Sequence, residues 1–236
     1  MKRAVLVLAV SVLAGCVSTT TPPSAPIPNP GRASAPVSPK QAQIRFRQVA
    51  SRIEPVAEQE CRRRTQGVNC DFLIRMDPKK DAPSNAYQSL SKSGRPMITM
   101  TQALTRNVNN NDELAFVMAH EAAHHIQGHL ARRAQNAAAG AVILAGLATI
   151  AGTGPNDIAA AQDLGAFVGG RSYSKNFELE ADQLGAVIAY KAGYDPLKGA
   201  LYFARVPDPG DRFLGTHPPN SQRYHAVQAT MSRIGG

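Results

Sequence analysis

Between residues 41 and 64 apolar side chains recur at Ile44, Val49, Ile53 and Val56, the spacing of a helix with one buried face, and Arg45, Arg47 and Arg52 fall between them. Pro55 marks a kink or a fresh start in that helix. The period then changes to two. Residues 70–76 read as a strand, and residues 85–90 and 96–100, joined through Lys92-Ser93-Gly94-Arg95, read as a hairpin. The expected result is a small antiparallel sheet. Residues 101–106 suggest a short helix, after which a long helix runs to about Arg133, with Asn109-Asn110-Asn111-Asp112 supplying its cap. Leu114, Phe116, Val117 and Met118 would bury that helix. Residues 137–152 are almost wholly apolar yet fall short of the roughly 20 residues needed to cross a bilayer. They read as a buried helix of the domain, with a cover over an active site or a membrane-dipping helix as alternatives. After the breaker Gly152-Thr153-Gly154-Pro155 come a helix over 157–168 and an amphipathic one with Phe177, Ala181, Leu184 and Ile188 on one face. A short helix starts at Asp195-Pro196, a loop over 206–219 carries His217, and a last helix covers 221–234. The fold class is therefore α+β, mainly α, with one domain over 41–236.

Composition changes the picture at the N-terminus. Met1-Lys2-Arg3 is a charged start, and residues 4–13 are an apolar run too short to span a bilayer comfortably. The run ends in Leu13-Ala14-Gly15-Cys16, which resembles a bacterial lipobox; residues 1–15 would be a signal peptide and Cys16 the lipidated first residue, the alternative being an ordinary signal peptide with an incidental cysteine. Val17 in place of Asp after that cysteine resembles the outer-membrane sorting of enteric bacteria. Residues 16–40 are rich in Ser, Thr and Pro and cannot bury enough apolar surface to fold. They read as a tether, which as polyproline II would reach about 75 Å. Outside the cytoplasm, Cys61 and Cys70 are expected to form a disulfide closing a short loop, adding about 2–3 kcal/mol. The formal charge is +9, but the cations are scattered and tryptophan is absent, so no nucleic-acid partner is expected.

The chemistry gathers at His120-Glu121-Ala122-Ala123-His124. Two histidines four apart on a helix can meet one metal ion, and the glutamate beside the first ring can take a proton from a water on that metal. A catalytic zinc needs three protein ligands and an open position. A third histidine ten residues after the first would make a metzincin, but that position is Leu130. On one continuous helix His129 and His125 fall about 180° and 140° round from His120, so neither can share its metal. A carboxylate on a second helix is the natural candidate. Glu178 and Asp182 face the same way, with Gly185 continuing that face; Glu180 points elsewhere without being excluded, and an ordinary acidic first turn is the bland reading.

These motifs, with His129 and Arg133, Tyr173-Ser174 ahead of Glu178-Leu179-Glu180-Ala181-Asp182, and Thr216-His217-Pro218-Pro219 followed by Arg223, resemble the HtpX/CAAX-protease metallopeptidase family, in particular its periplasmic lipoprotein branch. The resemblance covers roughly residues 85–223, although Lys175 stands where the family often has Arg. It implies a zincin-like fold and a zinc metalloendopeptidase with one zinc held by His120, His124 and Glu178. It also implies Glu121 as general base, Asp182 steadying a ligand histidine, and His217 acting near the metal. The implied substrates are misfolded or misassembled envelope polypeptides, met from a lipid anchor facing the periplasm, at the outer membrane. An edge strand of the sheet would offer its backbone to an extended peptide. A chaperone-like or assembly factor that keeps the fold but rarely cleaves is the alternative.

Overall fold

The structure, a computed structural model, describes residues 26–172, 174–208 and 217–235. The expected leader, the lipidation site Cys16, Tyr173 and Thr216 lie outside the described residues. Residues 26–38 are described and lie along the domain: Ser34 donates its backbone N–H to the Asn109 side chain, and Val37 exchanges hydrogen bonds with Arg106.

The first helix, α1 (Pro39–Arg64), is capped by Ser38 and continues unbroken through Pro55. Its buried stripe is Ala42, Phe46, Val49, Ile53 and Ala57, whereas Ile44 is exposed. Small alanines rather than large aliphatics complete that face, so α1 lies close against the core. Three strands follow, β1 (Leu73–Met76), β2 (Ala86–Leu90) and β3 (Pro96–Met100). The sheet has the order β1-β3-β2 and is mixed, not wholly antiparallel: β3 pairs antiparallel with β2 and parallel with β1. The chain reverses after β1 but leaves a strand's width, and β3 returns through that gap. On the β1 side Glu54 of α1 accepts the backbone N–H of Ile74, which leaves β2 as the open edge.

After α2 (Gln102–Asn107) comes α3 (Asn111–Ile126). Asn110 caps α3 by accepting the Glu113 N–H, and Glu113 accepts from the Asn109 N–H in return. Buried Glu113 also pairs with Arg205, tying the start of α3 to the far side of the domain. The expected helix to Arg133 is in fact two. Gly128 takes a left-handed conformation with φ of 66°, and α4 (His129–Ile150) sets off from it. Glycine carries no Cβ penalty there and is the usual residue just past a helix end.

The expectation of a buried helix over 137–152 is also corrected. α4 pairs with α5 (Pro155–Ser172) as a projecting hairpin, and Val142, Ile143, Leu147 and Ile150 are 58–86% exposed. Apolar composition alone cannot say what lies opposite. Here the interface between the two helices is taken by glycines and alanines, so the large side chains face outward. The chain returns through α6 (Ser174–Lys191), α7 (Pro196–Ala200), a 3-10 turn (Leu201–Ala204) and α8 (Asn220–Ile234). Two apolar clusters sandwich α3: one of α1, the sheet and α6, the other of Phe116, Ala186, Phe203, Tyr224 and Val227. Cys61 and Cys70 are joined by a disulfide that fastens the end of α1 to the approach to β1. Among the described residues no helix is long and apolar enough to cross a membrane.

Candidate metal centre

α3 is held on both sides, so its middle turns have little freedom. α6 crosses it at Gly185, where an added Cβ would stand 3.0 Å from the backbone of His120. That close approach brings Glu178, one turn before Asp182, over the histidine pair. His120 Nε2 lies 3.0 Å from His124 Nε2 and 3.5 Å from Glu178 Oε2, and His124 Nε2 lies 3.3 Å from Glu178 Oε1. These three residues form the metal-capable cluster found among the described residues. Donors on a tetrahedral zinc with bonds of 2.0–2.1 Å stand roughly 3.3 Å apart, so both the geometry and the nitrogen–oxygen donor set fit that ion.

Each histidine of the cluster is steadied from behind. His120 Nδ1 is 2.9 Å from buried Asp182, whose carboxylate also receives two bonds from Arg223, Nε at 2.8 Å and Nη2 at 2.7 Å. The Arg223 guanidinium stacks 3.9 Å over Phe203. On the other side, His124 Nδ1 is 2.8 Å from His129 Nδ1, and His129 Nε2 is 3.1 Å from Glu180. Glu180 is paired with Arg132, and the His129 ring stacks on Phe177. If His124 meets a metal through Nε2, its Nδ1–H must donate. His129 then accepts at Nδ1 and donates from Nε2 to Glu180, so a single order of protons runs along the chain.

The electrostatics agree with that order. Burial pushes His129 down to about 4 despite Glu180, which keeps the ring neutral. Burial also opposes charge on His120, but Asp182 and then Glu178 outweigh it and raise the pKa to about 10. A metal entering the site must displace that proton. Burial likewise raises Glu178, but bonds from His120, His124 and His217 hold it well below the usual carboxylate range.

Glu121 and His217 both line a cleft of about 490 Å³ over the cluster, with Ala86, Tyr87 and Gln88 of the open strand β2 along one wall. His217 is half exposed, its Nδ1 3.1 Å from Glu178 Oε2. His125 turns away to the backbone oxygen of Asn69. Sequence reasoning missed the support given by His129, Glu180 and Arg132. The available signal was Gly128: a helix ending there frees His129 from the angular argument that set it aside.

Residues 43–231 match Peptidase family M48, and the chain belongs to that family. Beta-barrel assembly-enhancing proteases of Escherichia coli and Yersinia pestis are 31% and 30% identical over 147 and 148 residues, 51% and 53% of this chain. A similarly named Vibrio cholerae protein is 35% identical over 129 residues, 52% of this chain. The matched stretch spans 26–29% of those relatives' own length.

Proposed function

We propose that this M48 peptidase is a zinc metalloendopeptidase of the bacterial envelope, cleaving misfolded or misassembled envelope polypeptides. In this reading residues 1–15 are removed, Cys16 carries lipid at the outer membrane, residues 16–40 form the link and residues 41–236 the catalytic domain. The observation that carries it is the convergence of His120, His124 and Glu178 on one point, beside Glu121, in a cleft walled by an open strand. The relatives' names support polypeptides met in beta-barrel assembly as substrates.

Zinc held by His120, His124 and Glu178 would supply a Lewis acid that makes water acidic near neutral pH. The protein's own residues do the rest. An extended substrate adds to the edge of β2 through backbone hydrogen bonds, which places a peptide carbonyl over the cluster. Glu121 takes the proton of the attacking water and passes it to the departing amine. His217, whose Nδ1 lies 3.1 Å from Glu178 Oε2, donates an N–H toward the developing oxyanion. Asp182 and Arg223 fix the ring of His120, and His129 with Glu180 fixes that of His124.

The test uses Glu121→Gln, a near-isosteric change that leaves the ligands alone. Zinc content should be unchanged and degradation of unfolded casein should fall at least about 100-fold. Equal degradation by mutant and native protein would sink the peptidase reading. No casein cleavage by either, with aggregation of the unfolded protein suppressed by both, would favour the chaperone-like alternative.

A further inference from the structure

The α4–α5 hairpin is built the opposite way from a hairpin meant for water. Its interface is made by small residues in backbone contact: a Cβ on Gly140 would stand 2.1 Å from the carbonyl oxygen of Gly165, and one on Gly169 2.1 Å from that of Asn136. Large apolar side chains point away from the partner helix. On α4 the residues Ala139, Val142, Ile143, Gly146, Leu147 and Ile150 recur at helical spacing as one outer edge, and its four large members are 58–86% exposed. Small residues between helices and aliphatics outside is how helices pack where the surroundings are lipid.

Charge decides which way the hairpin faces. No charged side chain occurs over residues 134–156, so the α4 edge is bare of charge from near its base to the tip. α5 also exposes Leu164 and Phe167, at 55% and 51%, but interrupts them with Asp157 and Asp163, the latter on the edge away from α4. Among the described residues the free cations at the base are Arg133 and Arg171, the latter lying 4.4 Å over the Phe167 ring, whereas Arg132 is held by Glu180. The apolar part of α4 is about 24 Å long, too short to cross a bilayer end-on, and end-on entry would carry Asp157 in first.

We infer that the α4–α5 hairpin lies flat in a membrane interface, the outer edge of α4 among the acyl chains, the carboxylates of α5 toward water, and the arginines of the base at the lipid phosphates. This is the geometry of an interfacial amphipathic helix, and it does not depend on the lipid at Cys16. Leu130 and Arg133, at the root of α4, line the active-site cleft, so the same contact holds the cleft near the membrane.

The chain contains no tryptophan, so one introduced residue reports alone. The full chain is prepared as Leu147→Trp, Ile150→Trp and, on the far edge of α5, Ala160→Trp. Each is mixed with vesicles of phosphatidylethanolamine and phosphatidylglycerol, with and without bromine on the acyl chains. Retained zinc binding shows that each variant is folded. The proposal expects a blue shift and several-fold stronger bromine quenching for the two α4 reporters than for Ala160→Trp. Because every variant carries the same N-terminus, an anchored tail cannot produce that difference. Unshifted, unquenched α4 reporters would overturn it. So would equal quenching on both helices, or a blue shift that needs no vesicles and follows dimerisation in sedimentation.

Discussion

His129 is the residue whose role changed most. Placed on one helix with His120, it could only face away; placed after the turn at Gly128, it holds the back of His124. Its side chain accepts from one neighbour and donates to the other, a pattern that glutamine can copy and alanine cannot. His129→Ala should weaken zinc binding by roughly 10- to 100-fold in chelator competition, and His129→Gln should recover most of it. Equal affinity in all three proteins would show that the contact is only packing. At the other histidine, Arg223→Met leaves buried Asp182 with His120 as its remaining partner and should cost about 1–3 kcal/mol of stability, read from denaturant unfolding. Because a proton on His120 must leave as a metal enters, zinc titration should release protons, seen as a binding heat that varies with the ionisation enthalpy of the buffer. A heat independent of buffer would contradict that assignment.

Among elements, legibility followed how local the determining contacts are. The caps at Asn110 and Asp195, the β2–β3 hairpin and the faces of α3 and α6 are written in neighbouring residues, and each could be located from them. The parallel pairing of β1 with β3 was not, because it depends on where a strand twenty residues away comes to rest. Nor was the exposure of α4, since an apolar run looks the same whether protein or lipid covers it. Glu60 illustrates a contact between distant elements: buried on α1, it meets Arg63, Arg64 and, across from α6, Lys191. Burial pushes its pKa up, but those cations hold it at about 2, against 4.5 for a free carboxylate. A folded-state pKa below the unfolded one gives stability that is present above pH 4.5 and lost as the pH falls from there toward 2. Glu60→Gln should therefore flatten the acid limb of the stability curve over that range, and an unchanged limb would mean that the cluster is not what acid disrupts.

At the scale of the whole molecule, the motif helix is the shared wall of two apolar clusters, and the metal site lies where α6 and α8 close over it. That arrangement explains why the histidine pair of the metal-capable cluster could be located from four residues of spacing while the cleft could not. The two histidines belong to one helix, whereas Glu178 comes from α6 and the cleft needs β2, α6 and α8 at once. The Cys61–Cys70 bridge closes a short loop at the end of α1, outside the metal-capable cluster. Its reduction should lower thermal stability by a few kcal/mol without changing zinc content.

The contact between Asn136 and Gly169 has a last consequence. The two helices of the hairpin already touch backbone to backbone there, before the exposed apolar run that starts at Val142. A cut across that seam, with 136 rejoined to 169 through a short flexible bridge, removes the distal arm while leaving every ligand and its supports in place. The arm is thus an exchangeable part. If the hairpin rests on a membrane as inferred above, replacing it with a polar hairpin, or with one long enough to cross a bilayer, would change how the same domain meets that membrane without touching His120, His124 and Glu178.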